Sequence, residues 1–169
     1  MISDTKVVAI GGGTGLSTML KGLKLHTHNI TAVVTVADDG GSSGILRSDL
    51  GMLAPGDVRN CVSALAEVDP VMGELLNFRF KDGSLKGHSL GNLFLAALNE
   101  TSSSFDEAVK KFSHLAGVVG TVYPVTNESV TLSALLEDGR LIEGESHIGV
   151  HHDGPKNGIV KLMVNPEKP

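Results

Sequence analysis

The sequence is short of the residues on which several classes of protein depend. Its 169 residues include one cysteine, no tryptophan and only 4% aromatic residues. A single cysteine, Cys61, cannot form an internal disulfide, and so few aromatic rings give little surface for stacking nucleic-acid bases. The formal net charge of −5 also argues against a protein that holds nucleic acid through a basic face.

Long apolar runs are also absent from the sequence. No stretch is long enough to span a bilayer, and the first residues, Met1 to Asp4, lack the basic and apolar regions of a signal peptide. We therefore expect a cytoplasmic protein that binds neither membrane nor nucleic acid. With 41% hydrophobic residues and a mean hydropathy of +0.12, the chain is expected to fold as one domain around a real core.

Glycine is abundant, with 21 residues, and its densest group follows the apolar run 6–10 and precedes the amphipathic run 16–23. A strand, a tight glycine turn and a helix leave free backbone N–H groups where the helix dipole favours an anion. The dinucleotide fingerprint is incomplete and no P-loop lysine follows, so a turn without a ligand is the alternative. The predicted phosphate-binding residues are Gly11, Gly12, Gly13, Thr14 and Gly15.

A second glycine-rich loop follows the β-branched run 30–37, which is typical of a buried parallel strand. Ligands of open α/β sheets bind beyond the carboxyl ends of the strands, so this loop should lie beside the first. Its paired carboxylates suit Mg²⁺ on a phosphate or a ribose diol, and an Asx turn with solvated acids is the alternative. The predicted binding residues here are Asp38, Asp39, Gly40, Gly41 and Ser42.

Two predicted helix starts complete the candidate site. Asp57 is a good N-cap, and an arginine in the first turn that follows can bind phosphate or remain a solvated surface charge. Ser89 is the natural N-cap of a later helix, where ordinary capping is the alternative to a second anion site. The predicted binding residues of these two starts are Asp57, Arg59, Asn60, His88, Ser89 and Asn92.

The rest of the chain supplies further elements. Apolar spacing predicts a helix over 70–80, and a capping box begins a helix over 104–115. We expect strands at 117–122 and 159–164, and a β-hairpin over 129–145 that turns at Asp138-Gly139. Residues 45–56 are predicted to be irregular. One acidic and histidine-rich group is interpreted as a polar loop, because its spacing matches no metal motif; it comprises Glu143, Glu145, His147, His151, His152 and Asp153.

These elements predict an α/β fold: a three-layer, Rossmann-like arrangement with a mainly parallel sheet, helices on both faces and an edge β-hairpin. The domain should extend over residues 1–169. A doubly wound domain would continue into a further helix and strand after Val164. We therefore expect a nucleotide-binding domain that is truncated at its C-terminus.

With these motifs laid out, the sequence resembles the gluconeogenesis factor family of bacteria, also described as morphogenesis factors. The matching segments are GGGTGLS at 11–17, ITAVVTVADDGGSSG at 30–44, LAPGDVRNC at 53–61 and LKGHSLGNLFLAAL at 85–98. The family shares a superfamily with the phospholactate transferase of deazaflavin-cofactor synthesis, which has the glycine loop and the Ala-Asp-Asp segment. Its members are about twice this length, so the resemblance covers their N-terminal half.

The resemblance implies a regulatory protein that binds a UDP-sugar such as UDP-N-acetylglucosamine, or a nicotinamide dinucleotide. The implied role couples carbon metabolism in gluconeogenic growth to cell-wall precursor supply and cell shape. It would involve a homo-oligomer and partners from those pathways. No cofactor is firmly implied.

Two enzymatic alternatives stay open. The first is a Mg²⁺-dependent transferase of the phospholactate transferase type that acts on a nucleotide-activated substrate. In it, Asp38 or Asp39 would hold the metal and Arg59 or His88 would stabilise developing charge. The second alternative is a dinucleotide-dependent oxidoreductase, against which the missing third glycine counts.

Overall fold

A computed structural model describes residues 2–149, 157–167 and 169 of the protein, and they form two three-stranded sheets and seven helices. In chain order the elements are β1 (Val7–Gly11), α1 (Gly13–Leu23), β2 (Ile30–Val34), α2 (Gly41–Leu50), α3 (Gly56–Leu65), α4 (Pro70–Asn77), α5 (Leu90–Glu100), α6 (Phe105–Leu115), β3 (Thr121–Pro124), β4 (Thr131–Leu136), β5 (Leu141–Glu143), α7 (Glu145–Gly149) and β6 (Ile159–Asn165). No helix in these ranges is long and apolar enough to cross a bilayer.

The first sheet is parallel, and its strands lie in the order β1-β2-β3. Ala32 at its centre pairs with Ala9 on one side and Val122 on the other. The predicted strand–helix–strand unit is therefore confirmed in β1, α1 and β2. Both β1 and β2 direct their carboxyl ends to the same edge of the sheet, where the glycine-rich segments follow them.

The second sheet is antiparallel, with β4 between β5 and β6. Its hairpin turns through Gly139, whose φ of +84° is a backbone conformation that suits glycine. The predicted hairpin and the predicted final strand are both confirmed. The parallel sheet, its helices and this hairpin sheet together confirm the α/β fold class.

Helices cover one face of the parallel sheet and build the core there. Ala9, Ala32 and Val34 point into this core, against α1 and α3 and the fully buried Phe112 of α6. Side chains on the opposite face are exposed or half-buried, and Ile10 is the most open of them at 76%. Helices were predicted on both faces of the sheet, and among the described residues they cover one face.

Some boundaries differ from prediction for local reasons. Residues 41–50 form α2, although 45–56 were predicted to be irregular, because the apolar side chains of α2 lack regular helical spacing. β3 begins at Thr121 and not at 117, because Val118 pairs instead with Ala66 after α3. Helix α4 ends at Asn77, three residues before the predicted end.

The predicted polar loop contains a short helix. Glu145 and His147 belong to α7, and Glu143 ends β5. The remaining members of that group, His151, His152 and Asp153, lie outside the described residues.

Candidate functional site

A cleft of about 230 Å³ opens beyond the carboxyl end of β2, where the first turns of α2, α3 and α5 meet. It brings together many of the residues that the sequence predicted for a binding site. The lining consists of Asp38, Gly40, Gly41, Ser42, Ser43, Gly56, Asp57, Arg59, Asn60, Arg79 and Asn92. Residues from distant segments therefore share one polar cavity.

Arg59 is buried at one wall of this cleft, with only 7% of its surface exposed. Its Nε donates to Asn92 Oδ1 at 3.3 Å, and its Nη1 donates to Asn77 Oδ1 at 3.0 Å. The alternative of a solvated surface arginine is therefore wrong. Gly91 makes room for the Arg59 stem, since a Cβ there would lie 2.9 Å from both Cγ and Cδ of the arginine.

The same hydrogen-bond network continues behind the cleft. Asn92 Nδ2 donates to Ser42 Oγ at 3.1 Å, and that hydroxyl is hydrogen-bonded to His88 Nδ1 at 2.9 Å. Ser89 Oγ accepts the backbone N–H of Asn92 at 3.2 Å, which confirms the predicted N-cap of α5. His88 and Ser89 are both buried and act on the cleft wall through Ser42 and Asn92.

Asp57 has a different position from the one predicted. Helix α3 begins at Gly56 with Pro55 as its N-cap residue, so the expectation that Asp57 caps it is wrong. The Asp57 carboxylate instead lies against the first glycine turn, where the Gly13 N–H lowers its pKa. The rigid ring of Pro55 and the Cβ-free Gly56 start the helix, which leaves the Asp57 side chain to reach across to α1.

The first glycine turn is therefore occupied by part of the protein. A Cβ at Gly12 would lie 2.1 Å from Thr35 Cγ2 and 2.6 Å from Asp57 Oδ2. Gly12 and Gly13 lie next to Asp57. Gly11 is the last residue of β1, and Thr14 and Gly15 belong to the first turn of α1. Phosphate binding at Gly11 to Gly15 stays a prediction, and in this structure the Asp57 carboxylate lies beside the turn.

The two neighbouring aspartates diverge. Asp38 remains at the cleft, where its Oδ1 accepts the Gly40 N–H at 3.0 Å. Asp39 turns away, and its Oδ1 accepts the Ser146 N–H of α7 at 2.8 Å. Burial raises the pKa of Asp39, but the hydrogen bonds from Ser146 and from its own backbone outweigh burial and hold that pKa below its ordinary value. Asp39 therefore anchors α7 to the loop.

Three carboxyl groups at or near the cleft influence one another. Burial raises the pKa of Asp57, and the nearby Asp38 charge adds to this, although the Gly13 N–H and Arg59 oppose it. Burial also raises the pKa of Glu145, which feels the charges of Asp38, Asp57 and Asp39. Glu145 Oε2 is buried and has no hydrogen-bond partner among the described residues. A bound cation would stabilise the ionised form of these carboxyl groups.

Two arginines add positive charge to the same cleft. Burial lowers the pKa of Arg59, and the neighbouring Arg79 lowers it further, while Asp57 acts in the opposite direction. Arg79 lines the cleft and donates from its Nη1 to the carbonyl oxygen of Gly87. Sequence reasoning missed Arg79, because its position follows from the bridge between Arg79 and Ser89, a pairing that no local pattern indicates.

Arg47 was also missed as a site residue. Its Nη1 donates to the carbonyl oxygens of Ala37 at 3.0 Å and Asp38 at 3.2 Å. Its Nη2 donates to the carbonyl oxygen of Val130 at 2.7 Å. Arg47 thus fixes the loop that carries Asp38 to the chain leading into β4. Once 45–56 was predicted to be irregular, no signal was left to locate it.

The carboxylates at the cleft supply some of the ligands that a divalent cation needs. Asp38 and Asp57 are the carboxylates at the cleft, and the unpartnered Glu145 oxygen lies in the same electrostatic environment. In the described ranges, no three His, Cys, Asp or Glu side chains are grouped so as to hold a metal ion. Mg²⁺ commonly takes one or two carboxylates and completes its shell with water and substrate phosphate, so this pair fits it.

The parallel β1–α1–β2 unit, with a polar cleft beyond its carboxyl end, defines a Rossmann-like α/β domain. The chain belongs to the CofD family: the family model described as 2-phospho-L-lactate transferase CofD matches residues 7–169. The resemblance to gluconeogenesis factors and to the transferase superfamily is therefore confirmed.

Individual relatives agree with this assignment. A Thermoanaerobacterium thermosulfurigenes protein is 58% identical over 166 residues, which are 98% of this chain and 51% of the relative. The Bacillus subtilis gluconeogenesis factor is 48% identical over 166 residues, covering 96% of this chain and 50% of the relative. An X-ray crystal structure of a Bacillus halodurans protein superposes with a TM-score of 0.90 at 43% identity, over 98% of this chain and 52% of that one. The chain spans about half the length of the relatives it matches.

Proposed function

We propose that the cleft binds the phosphate groups of a nucleotide-activated ligand and serves Mg²⁺-dependent group transfer of the CofD type. One observation carries the proposal: carboxylates and arginines line a single cleft. Asp38 and Asp57 line it together with Arg59 and Arg79, and the start of α2 lies between them. Phosphate is recognised by arginines and helix starts, while carboxylates hold the cation that accompanies it.

The arginines of the cleft can stabilise negative charge that develops during group transfer. Arg59 is held in place by Asn92 and Asn77, so its guanidinium needs little reorganisation when a phosphate oxygen approaches. The backbone N–H groups of Gly41 and Ser42 at the start of α2 are expected to bind another phosphate oxygen. Bound Mg²⁺, held by Asp38 and Asp57, would neutralise phosphate charge and orient the leaving group.

A second candidate is a regulatory protein that binds a UDP-sugar such as UDP-N-acetylglucosamine without turning it over. The description of the Bacillus subtilis relative, a gluconeogenesis factor, supports the part of this candidate that concerns carbon metabolism. In this role the protein would link carbon metabolism to cell-wall precursor supply and cell shape. It would do so as a homo-oligomer or through partners from those pathways. The same cleft would bind the diphosphate, so the two candidates differ in whether a bond is broken.

Calorimetry with UDP-N-acetylglucosamine and with GDP, each with and without Mg²⁺, tests the shared part of the proposal. Arg79→Ala removes an exposed cleft cation, and we expect it to weaken binding about tenfold through loss of one charge-assisted hydrogen bond. Lys86→Ala removes a nearby exposed charge that does not line the cleft, so it should bind like the wild type. Failure of both nucleotides to bind, or equal binding by the Arg79 variant, would contradict the proposal.

Phosphorus NMR of the bound nucleotide then separates the two candidates. Nucleotide that is cleaved only when Mg²⁺ is present supports the transferase. Nucleotide recovered unchanged after long incubation with Mg²⁺ supports the regulatory binder.

A further inference from the structure

The hydrogen bonds behind the cleft form a chain that donates in one direction and ends at a histidine. Arginine can only donate, so Asn92 Oδ1 accepts from Arg59 Nε at 3.3 Å, and the Asn92 Nδ2 group must face the Ser42 hydroxyl at 3.1 Å. The Ser42 Oγ is therefore an acceptor toward Asn92. Its own proton is directed to His88 Nδ1 at 2.9 Å, the acceptor that is bonded to it among the described residues.

This direction is the one that a serine nucleophile requires. The His88 imidazole accepts the hydroxyl proton and can remove it, while the Asn92 N–H and the start of α2 stabilise the negative charge left on Oγ. Ser42 and His88 are only 6% and 7% exposed, so little water competes for these hydrogen bonds. Ser42 nevertheless lines the cleft, where a ligand can reach its hydroxyl.

The backbone of His88 is fixed on both sides. Its N–H donates to the Leu85 carbonyl oxygen at 3.0 Å, and its own carbonyl oxygen accepts the Phe80 N–H at 3.0 Å. The next residue, Ser89, is the N-cap of α5. The imidazole is therefore held beside Ser42 before any ligand binds, which is the preorganisation that a general base needs.

The neighbouring serine provides a contrast within the same turn. Ser43 also lines the cleft, but its Oγ accepts the Gly56 N–H at 3.2 Å. Among the described residues no side-chain base is hydrogen-bonded to Ser43. Ser42 is therefore the serine of this turn that combines access to the cleft with a base.

We propose that Ser42 is a covalent nucleophile and His88 its general base, so that transfer in the cleft passes through a phosphorylated serine. The inference rests on the proposed function, because its substrate is the nucleoside diphosphate, or an ester of it, that the cleft binds. The Ser42 Oγ attacks the β-phosphorus and forms an Oγ–P bond, and its proton moves to His88 Nδ1. The bond from that phosphorus to the bridging oxygen breaks, and the nucleoside monophosphate leaves with the electron pair.

A second displacement regenerates the enzyme. The hydroxyl of an acceptor attacks the same phosphorus and releases its proton to solvent. The Oγ–P bond breaks, and Ser42 Oγ keeps the electron pair and takes back the proton from His88. Two displacements of this kind give the ping-pong kinetics that mark covalent catalysis.

Isotope exchange without an acceptor tests the proposal in the 169-residue chain. Radiolabelled GMP is mixed with GDP, and radiolabelled UMP with UDP-N-acetylglucosamine, each with Mg²⁺. A phosphorylated serine can return its group to the monophosphate, so we expect label to appear in the diphosphate or its sugar ester. Direct transfer to an acceptor gives no such exchange. Mass spectrometry after an acid quench should also show one added phosphoryl or sugar-phosphoryl group, and peptide mapping should locate it on Ser42.

Three variants separate the chemical role from a structural one. Ser42→Ala should abolish both the exchange and the mass gain, whereas Ser48→Ala on the exposed side of the same helix should retain both. In His88→Asn the side-chain amide can still accept a hydrogen bond from Ser42 but is not a base. We therefore expect exchange at least about a hundredfold slower, with nucleotide affinity in calorimetry unchanged. A His88 that only supports the cleft wall would leave the exchange rate of bound nucleotide unchanged.

The outcomes distinguish this proposal from the one on which it rests. If either nucleotide binds in calorimetry but neither exchange nor a mass gain is seen, the serine nucleophile is overturned and nucleotide binding in the cleft stands. If neither nucleotide binds, both proposals are overturned. A group mapped to Ser43 would overturn the assignment of the base. The peptide map is made on the unsubstituted protein, so it decides the question even where a variant does not fold.

Discussion

The two glycine-rich turns at the edge of the parallel sheet look alike in sequence and differ in what they contact. Each follows a parallel strand and opens a helix. In the first turn, the Gly13 N–H lies near the Asp57 carboxylate and lowers its pKa, and Gly12 packs closely on Thr35. The second turn, from Asp38 to Ser43, faces the cleft and its arginines. A glycine-rich helix start can therefore be satisfied by an internal carboxylate as well as by a ligand.

This difference bears on where an anion can bind. A phosphate at the first turn has to compete with Asp57, whose carboxylate is part of the fold. A phosphate at the second turn meets the N–H groups of Gly41 and Ser42 and lies in the same cleft as Arg59, while the Gly40 N–H stays bonded to Asp38. Substitutions that disturb one turn and spare the other can test the comparison.

The largest effect is expected from Gly91→Ala, because Gly91 packs against Arg59 in the wall of the cleft that the second turn faces. The added Cβ would lie 2.5 Å from the Leu76 carbonyl oxygen and 2.9 Å from the Arg59 stem. Because a backbone atom blocks it, α5 must shift, and we expect the free energy of unfolding in urea to fall by about 3 kcal/mol. Gly73→Ala in α4 has no contact closer than 4.0 Å and should not destabilise. Equal unfolding midpoints for the two variants would contradict this packing.

Gly12→Ala tests the first turn. Its Cβ would approach Thr35 Cγ2 to 2.1 Å and Asp57 Oδ2 to 2.6 Å. Side chains can yield more easily than backbone, so we expect a loss of about 2 kcal/mol in the free energy of unfolding. Gly15→Ala is the control, because a Cβ there meets open space inside α1, and it should stabilise by about 0.5–1 kcal/mol. A neutral Gly12→Ala would show that Asp57 does not pack here.

Ser42→Ala should have a smaller effect. It removes the hydroxyl shared by His88 and Asn92, so two buried nitrogen atoms lose a partner. We expect a loss of about 1 kcal/mol in the free energy of unfolding, together with weaker nucleotide binding. Ser48→Ala on the exposed side of the same helix should leave both quantities unchanged. If the two serine variants behave alike, the network does not support the cleft.

The smallest effects should come from pH, and the two aspartates should have opposite signs. Asp57 keeps its proton to a higher pH in the folded protein than in the unfolded chain. The folded state then binds more protons above the ordinary pKa of 3.8, so this contribution to stability falls as pH rises toward the folded-state pKa. Asp57→Asn should remove that fall in urea unfolding measured between pH 4 and neutral pH.

Asp39 provides the opposite case. Its pKa is lowered in the folded state, so it contributes stability that is present above its ordinary pKa of 3.8 and is lost as pH falls through the lowered value. Asp39→Asn should therefore flatten the acid side of the stability profile and leave the range above pH 4 unchanged. Two variants with the same pH dependence would contradict the assignment of these carboxylates to different environments.

Sequence reasoning succeeded where a short-range signal decides the structure. Three of these signals each involve only a few neighbouring residues. They are the capping box that starts α6, the N-cap Ser89 of α5 and the Asp138-Gly139 hairpin turn. These elements bring the strand and helix ends to one edge. The prediction that Asp38, Arg59 and Asn92 converge followed from topology, and the cleft has them together.

What could not be predicted depends on contacts between distant segments. Asp57 was assigned to its own helix, because nothing in its neighbourhood indicates that it reaches Gly13. Arg59 is buried because Asn77 and Asn92 accept its hydrogen bonds, and both asparagines come from other helices. Helix α2 escaped notice because packing, and not regular apolar spacing, holds it in place.

The hydrogen bonds of Arg47 have a mechanical consequence for the whole molecule. One nitrogen of the guanidinium donates to the Asp38 carbonyl oxygen and the other donates to the Val130 carbonyl oxygen. This single side chain therefore connects the antiparallel sheet with the loop that carries Asp38. A displacement at the head of β4 would pull on the backbone that carries the Asp38 carboxylate. A molecule that presses on the hairpin sheet would therefore adjust the geometry of the cleft without entering it.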